Sequence, residues 1–445
     1  MGALDKYERQ VVSDLGLVCK GWRDATLYTH RLWCAITISS TDRLSGHQKA
    51  TKWLERSRSM PKTIEYHSLW NRCECSGRQM CHSTNPLLIK LLSEGPLLHH
   101  FELQVARREC FKNWIAAMGA TKKTHSFPRP WDSLRSFELT FDNEEHDRWD
   151  QLEEPAQSIF NILPPVTSLS IHLPPADNAF PNLSGTETDS RYGVLDIPRD
   201  LLIGLTTLTL SCDWKGTRLL AILQHCTNVE TLSLDFNLQR FPFMHEHDYP
   251  FSKALANCPI LLPKTHTLRL SQAGTAEVLK YLQAPALTHL HLEFSGSEIQ
   301  ITDFENTIPR FLRVSRATGS LLTLHISNAS ISGAHLRRSL SGLRSLKLLS
   351  LDHIELRDTL FIRSAPGDAI HPHLPSVEHF KLLELNSDYK SIGVACLDER
   401  RGCTPCIMTV SFQKKHSDYE YIQHYASLFL WKENASITLL TIPPI

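Results

Sequence analysis

The chain has 445 residues, with 47 Lys+Arg against 47 Asp+Glu and 42% apolar residues. That length exceeds what one compact core usually holds, and the ordinary composition excludes wholesale disorder. A formal net charge of zero leaves no global field to draw the chain onto nucleic acid or an anionic membrane.

Residues 1–10 (MGALDKYERQ) are polar and lack the apolar stretch of a signal peptide. Lys6 stands where a myristoylation signal starting at Gly2 needs Ser or Thr. No run of about 18 apolar residues occurs, so no membrane-spanning helix is expected. The expectation is a chain of the cytoplasm and/or nucleus, with its 12 cysteines mostly reduced.

In residues 11–36, Leu15, Val18, Cys19 and Trp22 recur at i, i+3, i+4 and i+7, one face of a helix that Asp14 can cap. Leu32, Trp33 and Ile36 supply a second apolar patch. Residues 1–36 are therefore read as a small helical segment, and residues 37–96 as a helical connector. Residues 97–445 are read as a repeat array.

Leu15, Leu17, Val18, Cys19, Lys20, Trp22 and Arg23, followed by Arg31, Leu32 and Trp33, resemble the second half of an F-box. Trp53, Leu54, Glu55, Arg56 and Ser57, with Pro61 soon after, resemble F-box proteins of mushroom-forming fungi. The Leu-Pro opening and Ile/Leu-Phe helix of the F-box first half have no counterpart in residues 1–10, so the match is to an N-terminally truncated F-box. In that family an F-box precedes leucine-rich repeats. The resemblance implies an adaptor that docks on a Skp-type protein of a cullin–RING ubiquitin ligase while the repeats hold a target protein. Leu15, Val18, Trp22 and Trp33 are the implied adaptor-binding residues.

From residue 98 onward one pattern recurs: apolar, two residues, apolar, one residue, apolar. Its copies are Leu98-Phe101-Leu103, Leu134-Phe137-Leu139, Val166-Leu169-Ile171, Leu205-Leu208-Leu210 and Val229-Leu232-Leu234. They continue with Leu287-Leu290-Leu292, Leu321-Leu324-Ile326, Leu346-Leu349-Leu351 and Val377-Phe380-Leu382. A weaker copy has Thr265 before Leu268 and Leu270, and a last one is Ile437-Leu440-Ile442. The second and third residues are two apart, so on a strand they share a face. One such strand cannot bury its apolar edge alone; stacked copies can.

Between copies, residues 217–226, 275–282 and 301–314 place apolar residues at helical spacing. Strand and helix alternating with parallel neighbours is the plan of leucine-rich repeats. The spacing between copies varies from about 22 to about 39 residues, and the Asn usual after the strand is missing, so the expected solenoid is irregular. Residues 174–200, 237–250 and 363–375 are rich in turn formers and read as surface insertions.

The sequence gives little reason to expect a metal or a catalytic centre. Cys73, Cys75, Cys81 and His82 have zinc-ligand types without the usual spacing, and the Cys403/Cys406 pair has no partner pair. His245-Glu246-His247-Asp248 is not the H-E-x-x-H pattern. Cys226 and Cys258 end helical stretches and read as small apolar residues. No phosphate-binding, dinucleotide-binding or nucleophile-elbow signature occurs.

The outward residues of the strands remain. Asp235, Arg269, His289, His291, Glu293, His325 and Asp352 are expected to form a column of mixed charge along the sheet, of which Asp235, Arg269, His291, Glu293 and Asp352 are the candidate target contacts. The expectation is a non-enzymatic α/β protein. Its fold is an irregular leucine-rich-repeat solenoid, parallel strands alternating with helices, behind a small N-terminal helical F-box-like segment. Its function is substrate recognition for a ubiquitin ligase, with a repeat scaffold not associated with a ligase as the alternative. No cofactor, nucleic acid or membrane is called for.

Overall fold

A computed structural model describes residues 11–12, 14, 17–68, 81–105, 108–124, 129–141, 158–173, 197–212, 216–236, 249–295, 306–340, 342–356, 376–385, 406–412 and 435–440. The chain divides into two units, Met1–Cys212 and Asp213–Ile445. Each is a mixed α/β unit in which parallel strands alternate with helices.

Among the described residues the first unit has six strands: β1 (Ala35–Ser39), β2 (Thr63–His67), β3 (His100–Val105), β4 (Ser136–Phe141), β5 (Ser168–His172) and β6 (Thr207–Ser211). They lie side by side in chain order, all parallel. The chain must therefore return over the sheet after each strand. Helices His47–Glu55, Pro86–Glu94, Arg108–Thr124 and Arg199–Gly204 make several of these returns.

Among the described residues the second unit adds eight such strands: β7 (Thr231–Asp235), β8 (Thr267–Ala273), β9 (His289–Phe294), β10 (Thr323–Ile331), β11 (Leu348–Leu356), β12 (His379–Leu385), β13 (Cys406–Phe412) and β14 (Ala435–Leu440), beside a separate two-stranded pair. The eight too are parallel neighbours in chain order. Helices Gly216–Leu223, Tyr249–Asn257, Ile308–Val314 and Gly333–Leu340 lie between or before them.

All nine full apolar triads from Leu98 to Leu382 are buried, with the second and third members on strands. The lead residue closes each entry turn in a constant way. One carbonyl of the preceding repeat accepts two consecutive backbone N–H groups of the next. His99 O takes the N–H of Arg135 and of Ser136 at 2.9 Å each, and His266 O takes those of Thr288 and His289 at 2.9 Å each. The same pairing recurs from Lys347 O to Glu378 and His379. Thr265 serves at the lead position because its hydroxyl, fully buried, donates to Val229 O at 2.6 Å.

In three strands the burial phase then slips by one residue. Gln272, Asn328 and His353, each two residues past the last core residue, have φ of 50°, 57° and 49°. The left-handed residue acts as a bulge, so Ala273, Ala329 and Ile354 turn inward and are buried. β9 lacks that bulge, and the register between β8 and β9 shifts so that Phe294 pairs with Ala273.

The stretch 37–96, expected as a helical connector, contains most of β1 and all of β2. Trp33-Ile36-Ile38 has the same spacing as the later triads, and all three residues are buried. The parallel array thus begins at residue 35. Residues 275–282 are also not an α-helix: Glu277–Tyr281 is a short 3-10 turn, and Leu282–Gln283 pairs as a strand with Ile260–Leu261. Residues 301–305 lie outside the described ones, as do the insertions at 174–196, 237–248 and 363–375.

Before β1 the chain forms a helix, Lys20–Tyr28, and a 3-10 turn, His30–Trp33. Cys19 is extended (φ −159°, ψ 170°) and stands at the helix N-cap. The expected single face from Leu15 through Trp22 is therefore broken between Val18 and Trp22; Leu15 lies outside the described residues. Trp33 is buried against Trp53, ring centroids 4.4 Å apart, and donates to Thr26 O at 2.7 Å. Arg56 sits over the Trp33 ring at 4.6 Å, while Leu54 and Ser57 are fully buried. The Trp53–Ser57 stretch thus clamps the N-terminal turn onto β1.

Candidate functional site

The residue between two inward core residues of a strand must face the other way. In Ile64-Glu65-Tyr66, Phe101-Glu102-Leu103 and Phe137-Glu138-Leu139 that residue is a glutamate. Register places all three in one row: Glu65 opposite Glu102, and Glu102 opposite Glu138. Neighbouring strands lie about 4.8 Å apart, so three carboxylates are stacked side by side on the polar face of the first unit.

Histidines flank the row. His100 lies one pair along, opposite Thr63 and Ser136, with its Nδ1 against Ser136 Oγ at 2.9 Å. His67 Nε2 is 3.9 Å from Glu65 Oε2, and its Nδ1 is hydrogen-bonded to Gln104 Oε1. His172 Nε2 lies 3.5 Å from Glu138 Oε1 and 2.8 Å from Ser170 Oγ. Thr37 Oγ1 donates to Glu65 Oε2 at 3.4 Å. Glu102, at the centre, has no hydrogen-bond or ion-pair partner among the described residues. One ligand atom each from His100, Glu102 and Glu138 lie within 4.8 Å of one another.

Burial, then the like charges of Glu138 and Glu65, push the Glu102 carboxyl above its ordinary pKa. Burial and Glu65 raise Glu138. His67 is raised chiefly by its bond to Glu65, and burial lowers His100. A carboxyl raised in the folded state favours folding where it is protonated, and that contribution is lost as pH rises through the folded pKa. Ionised Glu102 therefore opposes folding at pH 7. Glu102→Gln is expected to melt at a higher temperature than wild type at pH 7 in chelator-containing buffer. The gain should shrink toward pH ~4, near the unperturbed carboxyl pKa; a gain independent of pH would point to packing instead of charge.

The polar face of the second unit carries the sequence-predicted residues, in three rows instead of one column. Arg269, His291 and His325 share a row that continues to Ser350 and Lys381. Glu293 and Asp352 belong to the adjacent row through Ser327, and Asp235 pairs with Ser271 in that row on the far side of the β8 bulge. His289 falls in a third row, opposite Thr267 and Thr323. The His291 and His325 rings are 5.7 Å apart. Burial, then Arg269 and the neighbouring histidines, pushes His291 down to about 4. His325 is lowered chiefly by burial. Both rings are neutral at pH 7, so among the described residues of this row the cations are Arg269 and Lys381.

At the N-terminus, Val18 and Trp22 are 66% and 52% exposed, with Leu17 and Tyr28 more exposed still. Trp33 belongs to the core instead, as described above. Of the other residue groups considered, Cys73, Cys75, Cys403 and His245 to Asp248 lie outside the described residues. Cys81 is hydrogen-bonded to Ser83 at 2.9 Å. Cys226 is buried, its thiol pushed up to about 12 by burial, which rules out a thiolate nucleophile there. The glutamate row went unread in the sequence, although F-E-L twice and I-E-Y once were a visible signal; what the sequence lacked was the register. Comparison of the sequence with protein-family models and with curated proteins finds no match.

Proposed function

We propose that the chain is a leucine-rich-repeat recognition protein of the F-box kind, acting in the cytoplasm or nucleus. Its N-terminal segment docks on a Skp-type adaptor of a cullin–RING ubiquitin ligase, and the polar strand faces hold a target protein. The observation that carries this reading is the apolar surface left uncovered in a short stretch: Leu17, Val18, Trp22, Leu27 and Tyr28 are all exposed. Exposed apolar side chains this dense along a short stretch favour an interaction surface, and these residues lie within or beside the stretch that resembles an F-box. The target faces are polar and of mixed sign, which suits a protein partner; the aligned glutamates disfavour nucleic acid, which asks for a basic stripe. Among the described residues no helix is long and apolar enough to cross a membrane.

The test is a binding titration between the purified full-length chain and a purified Skp-type adaptor. Binding is expected, and Val18→Asp with Trp22→Asp should abolish it with the circular dichroism spectrum unchanged, because both side chains are exposed. No detectable binding by the wild-type chain sinks the ligase-subunit reading and leaves the repeat scaffold.

A further inference from the structure

We propose that His100, Glu102 and Glu138 form a divalent-cation site on the polar face of the first unit. Three features converge there. The first is geometry: ligand atoms from one imidazole and two carboxylates lie within 4.8 Å of one another. A first-row ion with bonds of about 2.0–2.2 Å needs its donors roughly 3–3.5 Å apart. Glutamate side chains on adjacent strands close that gap by rotating, without backbone movement.

The second feature is an uncompensated charge. Glu102 is half-buried between two further carboxylates and has no partner among the described residues. A partly desolvated carboxylate in that position is unfavourable unless a cation or a proton joins it. The flanking histidines favour its charge only through space; His172 bonds Ser170 and lies against Glu138, and His67 lies against Glu65 and bonds Gln104.

The third feature is the surrounding shell. His100 Nδ1 is held by Ser136 Oγ, while its Nε2 has no hydrogen-bond partner among the described residues. That is the usual arrangement of a ligating histidine, one nitrogen oriented by a neighbour and the other presented. His172, 3.5 Å from Glu138 Oε1, stands beside the site as an outer partner of that ligand. Three protein donors on an open sheet face leave coordination positions for water or for a carboxylate of a bound partner. The donor set suits Mn²⁺, Fe²⁺ or Zn²⁺ better than a thiol-seeking ion.

Mn²⁺ is the appropriate probe, because it disfavours the cysteines elsewhere in the chain. Titration of the full-length, chelator-treated protein, followed by the electron paramagnetic resonance signal of free Mn²⁺, is expected to show about one ion bound per chain. Zn²⁺ should displace it, following the general order of divalent affinities. Glu102→Gln and, separately, His100→Gln should each weaken binding at least about tenfold. Both should also lose the rise in melting temperature that Mn²⁺ gives the wild type, a linkage expected only for an ion bound to the folded state. Cysteine-to-serine changes at 81 and 110 should leave binding unaltered. Absence of Mn²⁺ binding by the wild type, or equal affinity in Glu102→Gln, overturns the site. Because glutamine at 102 relieves repulsion, that variant folds at least as well as wild type, and lost binding there cannot be ascribed to unfolding.

Discussion

Trp131→Ala is expected to destabilise the first unit by about 3–5 kcal/mol, the range for deleting a buried tryptophan. Trp131 is fully buried at the centre of an aromatic cluster. Its ring centroid lies 5.4 Å from Trp114, 5.8 Å from Phe101 and 5.9 Å from Phe137, each at a steep edge-to-face angle. Such pairs contribute beyond their buried area. Its Nε1 also donates to Ile162 O at 2.7 Å, tying the turn before β5 to the turn before β4. Trp131→Phe keeps most of the ring volume but loses that bond and three buried ring atoms, so it should cost less than the alanine variant, about 1–3 kcal/mol. Urea unfolding of the two variants measures both numbers. A loss below about 1 kcal/mol for the alanine variant would refute the packing account, since no deleted core aromatic is that cheap. Phe101 and Phe137 immediately precede Glu102 and Glu138 in the chain. Loosening the cluster should therefore also weaken Mn²⁺ binding, with the loss scaling between the two variants.

The parallel array was legible because its signal is short-range. Two residues at i+3 and i+5 from an apolar lead decide which face of a strand goes inward, and nothing distant is needed to read that from Leu98 to Leu382. The same rule holds at Trp33-Ile36-Ile38, where the tryptophan also belongs to the stretch resembling an F-box, which masks the strand. β2 is harder, since an exposed Pro61 stands at the lead position in front of Ile64 and Tyr66. The turn at Glu277–Tyr281 deceived because Val278, Leu279 and Leu282 satisfy helical spacing while Leu282 pairs as a strand. The sites were less legible than the strands. Which outward residue faces which depends on register, and register is fixed by returns of unequal length and by the left-handed residues Gln272, Asn328 and His353. That is why one expected column of charge becomes three rows, and why three glutamates on neighbouring strands meet unannounced.

Leu290→Ala is expected to cost about 2–5 kcal/mol, the range for a deleted core leucine, and the damage should not stay in β9. Leu290 is fully buried and pairs in register with Leu268 of β8 and Leu324 of β10, both also buried. Each strand buries its apolar edge only against its neighbours, so stability is shared across interfaces instead of held within one repeat. The junction bonds reinforce this: His266 O holds the N–H groups of Thr288 and His289, and Thr288 O holds those of Leu322 and Thr323. Collapse of β9 toward the cavity would pull on both. Native-state hydrogen exchange should show protection lost at β8 and β10 as well as β9, with little change in the first unit. On the opposite face His289 and His291 flank the altered residue in sequence, so a target that uses this face should bind more weakly although no contact residue has changed. Exchange confined to β9, with β8 and β10 fully protected, would mean that the strands fold as independent elements and that the array has no shared core at this point.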